Sequence, residues 1–232
     1  MLPDGVYHWT ATHPEWEGPV SAYAIDDGER LILIDPIAVP DDVRALFGSR
    51  EVVTVLTSTW HERDAASLGF PVWAPAPDRP EDQLVPATRY AIGDSLFGME
   101  AYPGREGQLD LVLWSERIRA VIAGDTLIDL GNGLEIPASW LPEGVTVEQV
   151  ATGLRPLLDK PVEFVLPTHG EPADARGSRT RPRLIFASTR RDDELGPHVG
   201  AQGVFANAGP GSVGGCRSGG SARAGGSLRR LA

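Results

Sequence analysis

Val52-Val53-Thr54-Val55-Leu56-Thr57-Ser58-Thr59-Trp60-His61-Glu62-Arg63-Asp64 passes from an unbroken apolar run into a polar segment carrying a histidine and three other charged residues. A short, valine-rich run of this kind reads as a strand buried on both faces, which leaves only its end to carry chemistry. The same arrangement occurs twice more. Arg119-Ala120-Val121-Ile122-Ala123 leads into Gly124-Asp125-Thr126-Leu127, and Val162-Glu163-Phe164-Val165-Leu166 leads into Pro167-Thr168-His169-Gly170. Three strand ends are therefore expected to present polar residues to one edge.

The surrounding elements follow from local pattern. Val20–Ile25 and Arg30–Asp35 flank the turn sequence Asp26-Asp27-Gly28-Glu29 and predict a hairpin. Residues 40–48 open on proline and acids, place Val43, Leu46 and Phe47 at helical spacing and stop on glycine, which predicts a short amphipathic helix. Pro71–Pro75 reads as a short strand, and Leu111–Trp114 pairs with Arg119–Ala123 across Glu116-Arg117. Thr146-Val147-Glu148-Gln149 is a capping-box sequence, with Val150, Leu154, Leu157 and Leu158 as the buried face and Pro156 expected to kink or split the helix.

Composition divides the chain in two. Residues 1–175 carry 29 acids against 11 Lys and Arg, and residues 176–232 carry 3 against 10. With 41% hydrophobic and 23% charged residues in the chain, 1–175 is expected to form one globular domain. The Gly/Ala/Ser/Arg-rich remainder, 176–232, lacks apolar periodicity and is expected to be largely disordered. Leu184-Ile185-Phe186-Ala187 is its one compact apolar run, a segment for docking on the domain.

An acidic body argues against nucleic-acid binding. The single cysteine, Cys216, excludes an internal disulfide, and a reducing compartment, the cytoplasm, is the default. No apolar run reaches the roughly 18 residues of a membrane span. Met1-Leu2-Pro3-Asp4-Gly5 has no signal-peptide character, so a soluble, unprocessed chain is expected. Nucleotide-binding glycine motifs are absent, and no pattern in the chain encodes an oligomeric state.

Taken together, Leu33-Ile34-Asp35-Pro36, Gly124-Asp125-Thr126-Leu127 and Pro167-Thr168-His169-Gly170, in this order and at these separations, resemble the metallo-β-lactamase superfamily over roughly residues 5–175. The resemblance implies an α/β fold, a four-layer αββα sandwich with its site at one edge of the paired sheets. The family's first ligand motif is H-x-H-x-D-H. With Asp64 on the motif aspartate, the histidine positions fall on Trp60, Glu62 and Ala65. A later histidine, usually in a Pro-Gly-His context, falls on Arg105; the bridging aspartate matches Asp125 and the final histidine matches His169. Sliding the register by one residue puts His61 on a ligand position and costs Asp64 its match.

An indole is not a normal zinc ligand and a guanidinium repels a cation, so the all-histidine metal position is expected to be empty. The other position retains Asp64, Asp125 and His169, the usual number of protein ligands for one catalytic zinc. The implied cofactor is a single divalent metal, zinc by ligand type, or no metal at all. Arg105 is expected to supply part of the missing positive charge. Two functions stay open: a hydrolase of a small ester or thioester, with Asp64 and His61 as catalytic residues and water as nucleophile, or a non-catalytic descendant that binds a small anionic or aromatic ligand through Trp60, Glu62 and Arg105. Asp35 reads as a structural acid tying loops together. His8, Trp9, His13 and Trp16 read as packing or loop residues near the site edge.

Overall fold

The computed structural model describes residues 2–15, 17–77, 85–131 and 133–175. Trp16 and the whole of the tail 176–232, with its Leu184–Ala187 run, lie outside them. Within that range β1 (Val6–Thr12), β2 (Pro19–Asp26), β3 (Arg30–Ile34), β4 (Glu51–Val55), β5 (Val72–Pro75) and β6 (Thr88–Tyr90) form one sheet in sequence order. Strands β7 (Ser95–Leu96), β8 (Met99–Gly104), β9 (Gly107–Ser115), β10 (Ala120–Gly124), β11 (Phe164–Pro167) and β12 (Ala173–Asp174) form the second, ordered β12-β11-β10-β9-β8-β7. Both sheets are mixed. β3, β4, β5 and β6 run parallel to one another, as do β10 and β11, and the remaining pairs are antiparallel.

The layering follows from the two-residue period of strands buried on both faces. In β3, Ile32 and Ile34 join the central core with Leu111, Leu113 and Ile122 of the second sheet. Leu31 and Leu33 point the other way, to a cluster with Val43 of helix α1 (Asp41–Arg44). In β9, Val112 and Trp114 likewise turn outward to meet Val150, Ala151 and Leu154 of helix α3 (Val147–Leu154). Helix, sheet, sheet and helix thus stack in the αββα order. Helix α2 (Ala65–Leu68) follows the polar segment after β4 and ends on Gly69 in the left-handed region.

Most expected elements form, with three differences. The helix expected over residues 40–48 is only the single turn of α1, followed by a 3-10 turn at Phe47–Ser49. The expected capping box is present, Thr146 Oγ1 accepting from Gln149 N and Gln149 Oε1 from Thr146 N, but α3 ends at Leu154. Past it, Arg155–Asp159 tightens into a 3-10 helix containing Pro156. Three residues per turn rotate Leu158 off the buried face, and it is 50% exposed, contrary to expectation. Third, β1, β6, β7, β12 and most of β8 carry no signal in the periodicity.

Candidate functional site

Parallel pairing of β3 with β4 and of β10 with β11 carries the C-terminal ends of these strands in one direction. Asp35 follows β3, Thr57–His61 follow β4, Asp125 follows β10, and Thr168 and His169 follow β11. The two sheets are joined beside this edge by backbone hydrogen bonds from Leu111 N to Thr57 O at 2.7 Å and from Thr59 N to Leu109 O at 3.1 Å. Gly124, at φ 53°, makes the last step before Asp125; a Cβ there would lie 2.9 Å from Thr57 Oγ1, so the approach requires glycine.

Asp125 is the hub. Its Oδ1 accepts from Thr168 Oγ1 at 2.5 Å and lies 3.3 Å from His61 Nε2 and 3.4 Å from His169 Nε2. Its Oδ2 accepts from Trp60 Nε1 at 3.1 Å and lies 3.5 Å from Arg105 Nη2. Burial alone would favour the neutral acid. The charge of His61, the adjacent His169 imidazole and the hydrogen bond from Thr168 outweigh it and hold the carboxyl well below the ordinary range.

His61 is buried between two carboxylates. Its Nδ1 lies 3.1 Å from Asp35 Oδ2 and 3.0 Å from Thr57 Oγ1. Thr57 Oγ1 donates its one proton to Asp35 Oδ2 at 2.6 Å, and Asp35 Oδ1 accepts from Thr57 N at 2.8 Å. The hydroxyl therefore accepts from His61, which puts a proton on Nδ1. Burial opposes the imidazolium, but Asp125 and Asp35 prevail and raise the pKa to about 9.

Arg105, in the turn between β8 and β9, is 8% exposed. Its Nη1 donates to Trp140 O and lies 3.0 Å from Glu106 Oε1, and its guanidinium carbon sits 5.2 Å from the centre of the Trp60 ring and 5.9 Å from that of Trp140. Its amide donates to Thr126 Oγ1 at 3.0 Å, which in turn donates to Asp110 Oδ2 at 2.8 Å. Asp110 is fully buried on β9. Burial first, and then the charge of Asp125, raise its pKa to about 7. Arg63, at φ 42°, donates Nη1 to Ser21 O at 3.0 Å and to Asp35 O at 2.8 Å, so it ties β2 to the loop after β3.

Asp125, His169, His61, Trp60 and Arg105 are thus brought together. Asp64 is oriented elsewhere: its Oδ2 accepts from Ala38 N at 2.6 Å and its own amide donates to Pro36 O. Glu62 is half-buried, and burial raises its pKa. His8 stacks on Tyr23 and bonds Ser21, and Trp9 Nε1 donates to Ile37 O, so both are packing residues. His13 lies in the β1–β2 turn, where burial and then the charge of Arg63 lower its pKa. Gly18 of that turn and Pro19 at the start of β2 form one wall of a cleft of about 410 Å³ whose other lining includes Val20, Leu130, Trp140 and His169.

Sequence reasoning did not single out Thr57, Arg63, Asp110, Trp140 or Thr168. Asp110 had a usable signal, as an acid inside the apolar run of β9. Asp35, read as a structural acid, ties Thr57 to the loop after β3 and also faces His61.

The expected metal ligands do not fit a metal as they stand. Asp64 Oδ2 is engaged by Ala38 N instead of facing Asp125 and His169, and among the described residues no group of three or more His, Cys, Asp or Glu is arranged to hold an ion.

No protein-family model matches the sequence, and no curated protein matches it. Solved structures do. The metallo-β-lactamase DIM-1 aligns at 15% identity and TM-score 0.57 over 75% of this chain and 90% of its own. The metallo-β-lactamase FIM-1 from Pseudomonas aeruginosa, in its mono-zinc form, aligns at 15% identity and TM-score 0.56 over 75% and 88%. A metallo-β-lactamase family protein from Thermus thermophilus aligns at 14% identity and TM-score 0.53 over 78% and 77%. With its two mixed sheets, its outer helices and these structural neighbours, the chain has the metallo-β-lactamase fold.

Proposed function

We propose that this protein uses the metallo-β-lactamase fold to bind a small, largely aromatic molecule in the cleft beside His169 and Trp140. The observation that carries the reading is a division of labour at the sheet edge. The charged groups around Asp125 face one another, while the adjacent cleft of about 410 Å³ offers Trp140, Pro19, Val20 and Leu130 as apolar walls with His169 among them. A pocket of that size, mostly apolar with few polar groups, is the usual form of a small-molecule site. Asp129 at the same cleft disfavours an anion, so of the two ligand types the sequence left open, the aromatic one is better supported.

The test compares 2-naphthol with 2-naphthoate by fluorescence titration, with and without a chelator. Saturable binding of the neutral probe, weaker binding of the carboxylate, no effect of chelator and loss in Trp140→Ala and His169→Ala are expected. The rival outcome is hydrolysis of p-nitrophenyl acetate or a small thioester, with one zinc per chain and loss of activity in Asp125→Ala. That result would replace the binding reading with a hydrolase.

A further inference from the structure

Asp35, Asp110, Asp125, Arg63 and Arg105 gather with His61 around the strand ends. Three of them, Asp35, Asp110 and Asp125, are carboxyls with no exposed surface. Buried carboxylates are tolerated only when a cation or a dense set of donors offsets their lost hydration. Arg63 directs its Nη1 to the carbonyls of Ser21 and Asp35. Arg105 is placed differently. Its Nη2 is 3.5 Å from Asp125 Oδ2, its Nε 3.7 Å from Asp110 Oδ2 and its Nη1 3.0 Å from Glu106 Oε1, so one guanidinium faces three acids.

The ring contacts explain why it stays there. The guanidinium lies within 6 Å of the centres of both Trp60 and Trp140, the range in which a cation is attracted to an aromatic face. Trp60 in turn donates its Nε1 to the same Asp125 oxygen that Arg105 approaches, and Trp140 accepts from Arg105 through its carbonyl. Arginine alone among the side chains remains charged at any working pH and presents a flat face for two indoles to hold.

We propose that Arg105, held between Trp60 and Trp140, is the permanent cation facing Asp125 and Asp110, supplying positive charge that these buried carboxyls need and making the folded site independent of a bound metal. The inference stands whether or not the cleft beside His169 binds an aromatic molecule, because it concerns the charge balance around Asp125 and not the cleft's occupant.

The experiment uses the full chain. Protein purified without added metal is analysed for zinc, manganese and iron, and its Tm is measured after dialysis against EDTA and again with equimolar zinc. Metal far below one equivalent per chain and a Tm unmoved by either treatment are expected. Arg105→Ala should lower Tm by on the order of 10 °C. Adding guanidinium chloride at low millimolar concentration should restore part of that loss, while sodium chloride at equal ionic strength should not. Arg105→Lys should recover less than the wild type, since an ammonium keeps the charge without the flat face. If Arg105→Ala does not fold, the metal content and the zinc response of the unmodified protein still decide. Stoichiometric metal in the unmodified protein, a Tm raised several degrees by zinc, or an Arg105→Ala protein with unchanged Tm would each overturn the proposal.

Discussion

His61 Nε2 lies 3.3 Å from Asp125 Oδ1, with both side chains buried and His61 Nδ1 directed to Asp35 on its far side. An imidazole between two carboxylates gains more as a cation than burial takes away, which is why its pKa rises to about 9 from an ordinary 6.5. The folded pKa is above the unfolded one, so this group's contribution to stability is complete below about pH 6.5 and is lost as pH rises through about 9. Tm measured from pH 6 to pH 10 should therefore fall by on the order of 5 °C across that window. In His61→Gln the fall should largely disappear, leaving a lower but flatter profile.

Asp110 acts in the same direction at lower pH, which is the reverse of a carboxylate held by an ion pair. Its folded pKa, about 7, exceeds the ordinary carboxyl value, so between about pH 4 and pH 7 the folded chain holds a proton that the unfolded chain has released. Stability from this group declines as pH rises through that interval and levels off above it. Asp110→Asn keeps an oxygen for Thr126 and carries no charge. Relative to wild type it should gain on the order of 2 kcal/mol between pH 4.5 and pH 8, read from urea unfolding at the two pH values.

These two residues show what was legible in the sequence. The strand ends were, because valine-rich runs stopping at Thr57, Gly124 and Pro167 announce buried strands, and buried strands leave only their ends for polar groups. Asp125 and His169 followed from that, and the structure puts them 3.4 Å apart. The register of the first segment was harder. A motif comparison that keeps Asp64 in place is reasonable as sequence, yet which residue after β4 turns inward depends on Thr57, whose hydroxyl joins Asp35 to His61, and on Ala38, whose amide takes the Asp64 carboxylate. Both are contacts across more than twenty residues or within a turn whose geometry no periodicity records. Trp140 lies in a 3-10 turn, Ala138–Trp140, and reaches Arg105 from 35 residues away, so nothing local marked it.

Gly170 carries a steric prediction. It sits at φ 103°, and a Cβ there would lie 2.2 Å from Asp129 O, a backbone atom that cannot swing aside. Asp129 N also donates to His169 O at 2.9 Å, so the two loops are laced together beside the cleft. Gly170→Ala should destabilise by about 2–4 kcal/mol, since it combines an unfavourable φ with a backbone clash. Because the strain falls next to His169, 2-naphthol binding should weaken in whatever fraction remains folded, measured by the same fluorescence titration.

Arg63 tests whether the edge is held by charge or by geometry. Its guanidinium donates to two backbone carbonyls, Ser21 O in β2 and Asp35 O after β3, and burial lowers its pKa despite the nearby acids. Removing both donors while keeping the apolar stem, as in Arg63→Met, leaves two carbonyls to find other partners at a cost of about 1–3 kcal/mol. Arg63→Lys keeps the charge but replaces the planar guanidinium, whose Nη1 donates to both oxygens, with an ammonium on a different stem. If geometry is what matters, Lys and Met should lose similar stability in urea unfolding at pH 7. If charge is what matters, Lys should match wild type. In either case Met, having lost a cation that disfavours the imidazolium, should move the His61 transition upward, an effect visible by NMR titration of the His61 ring.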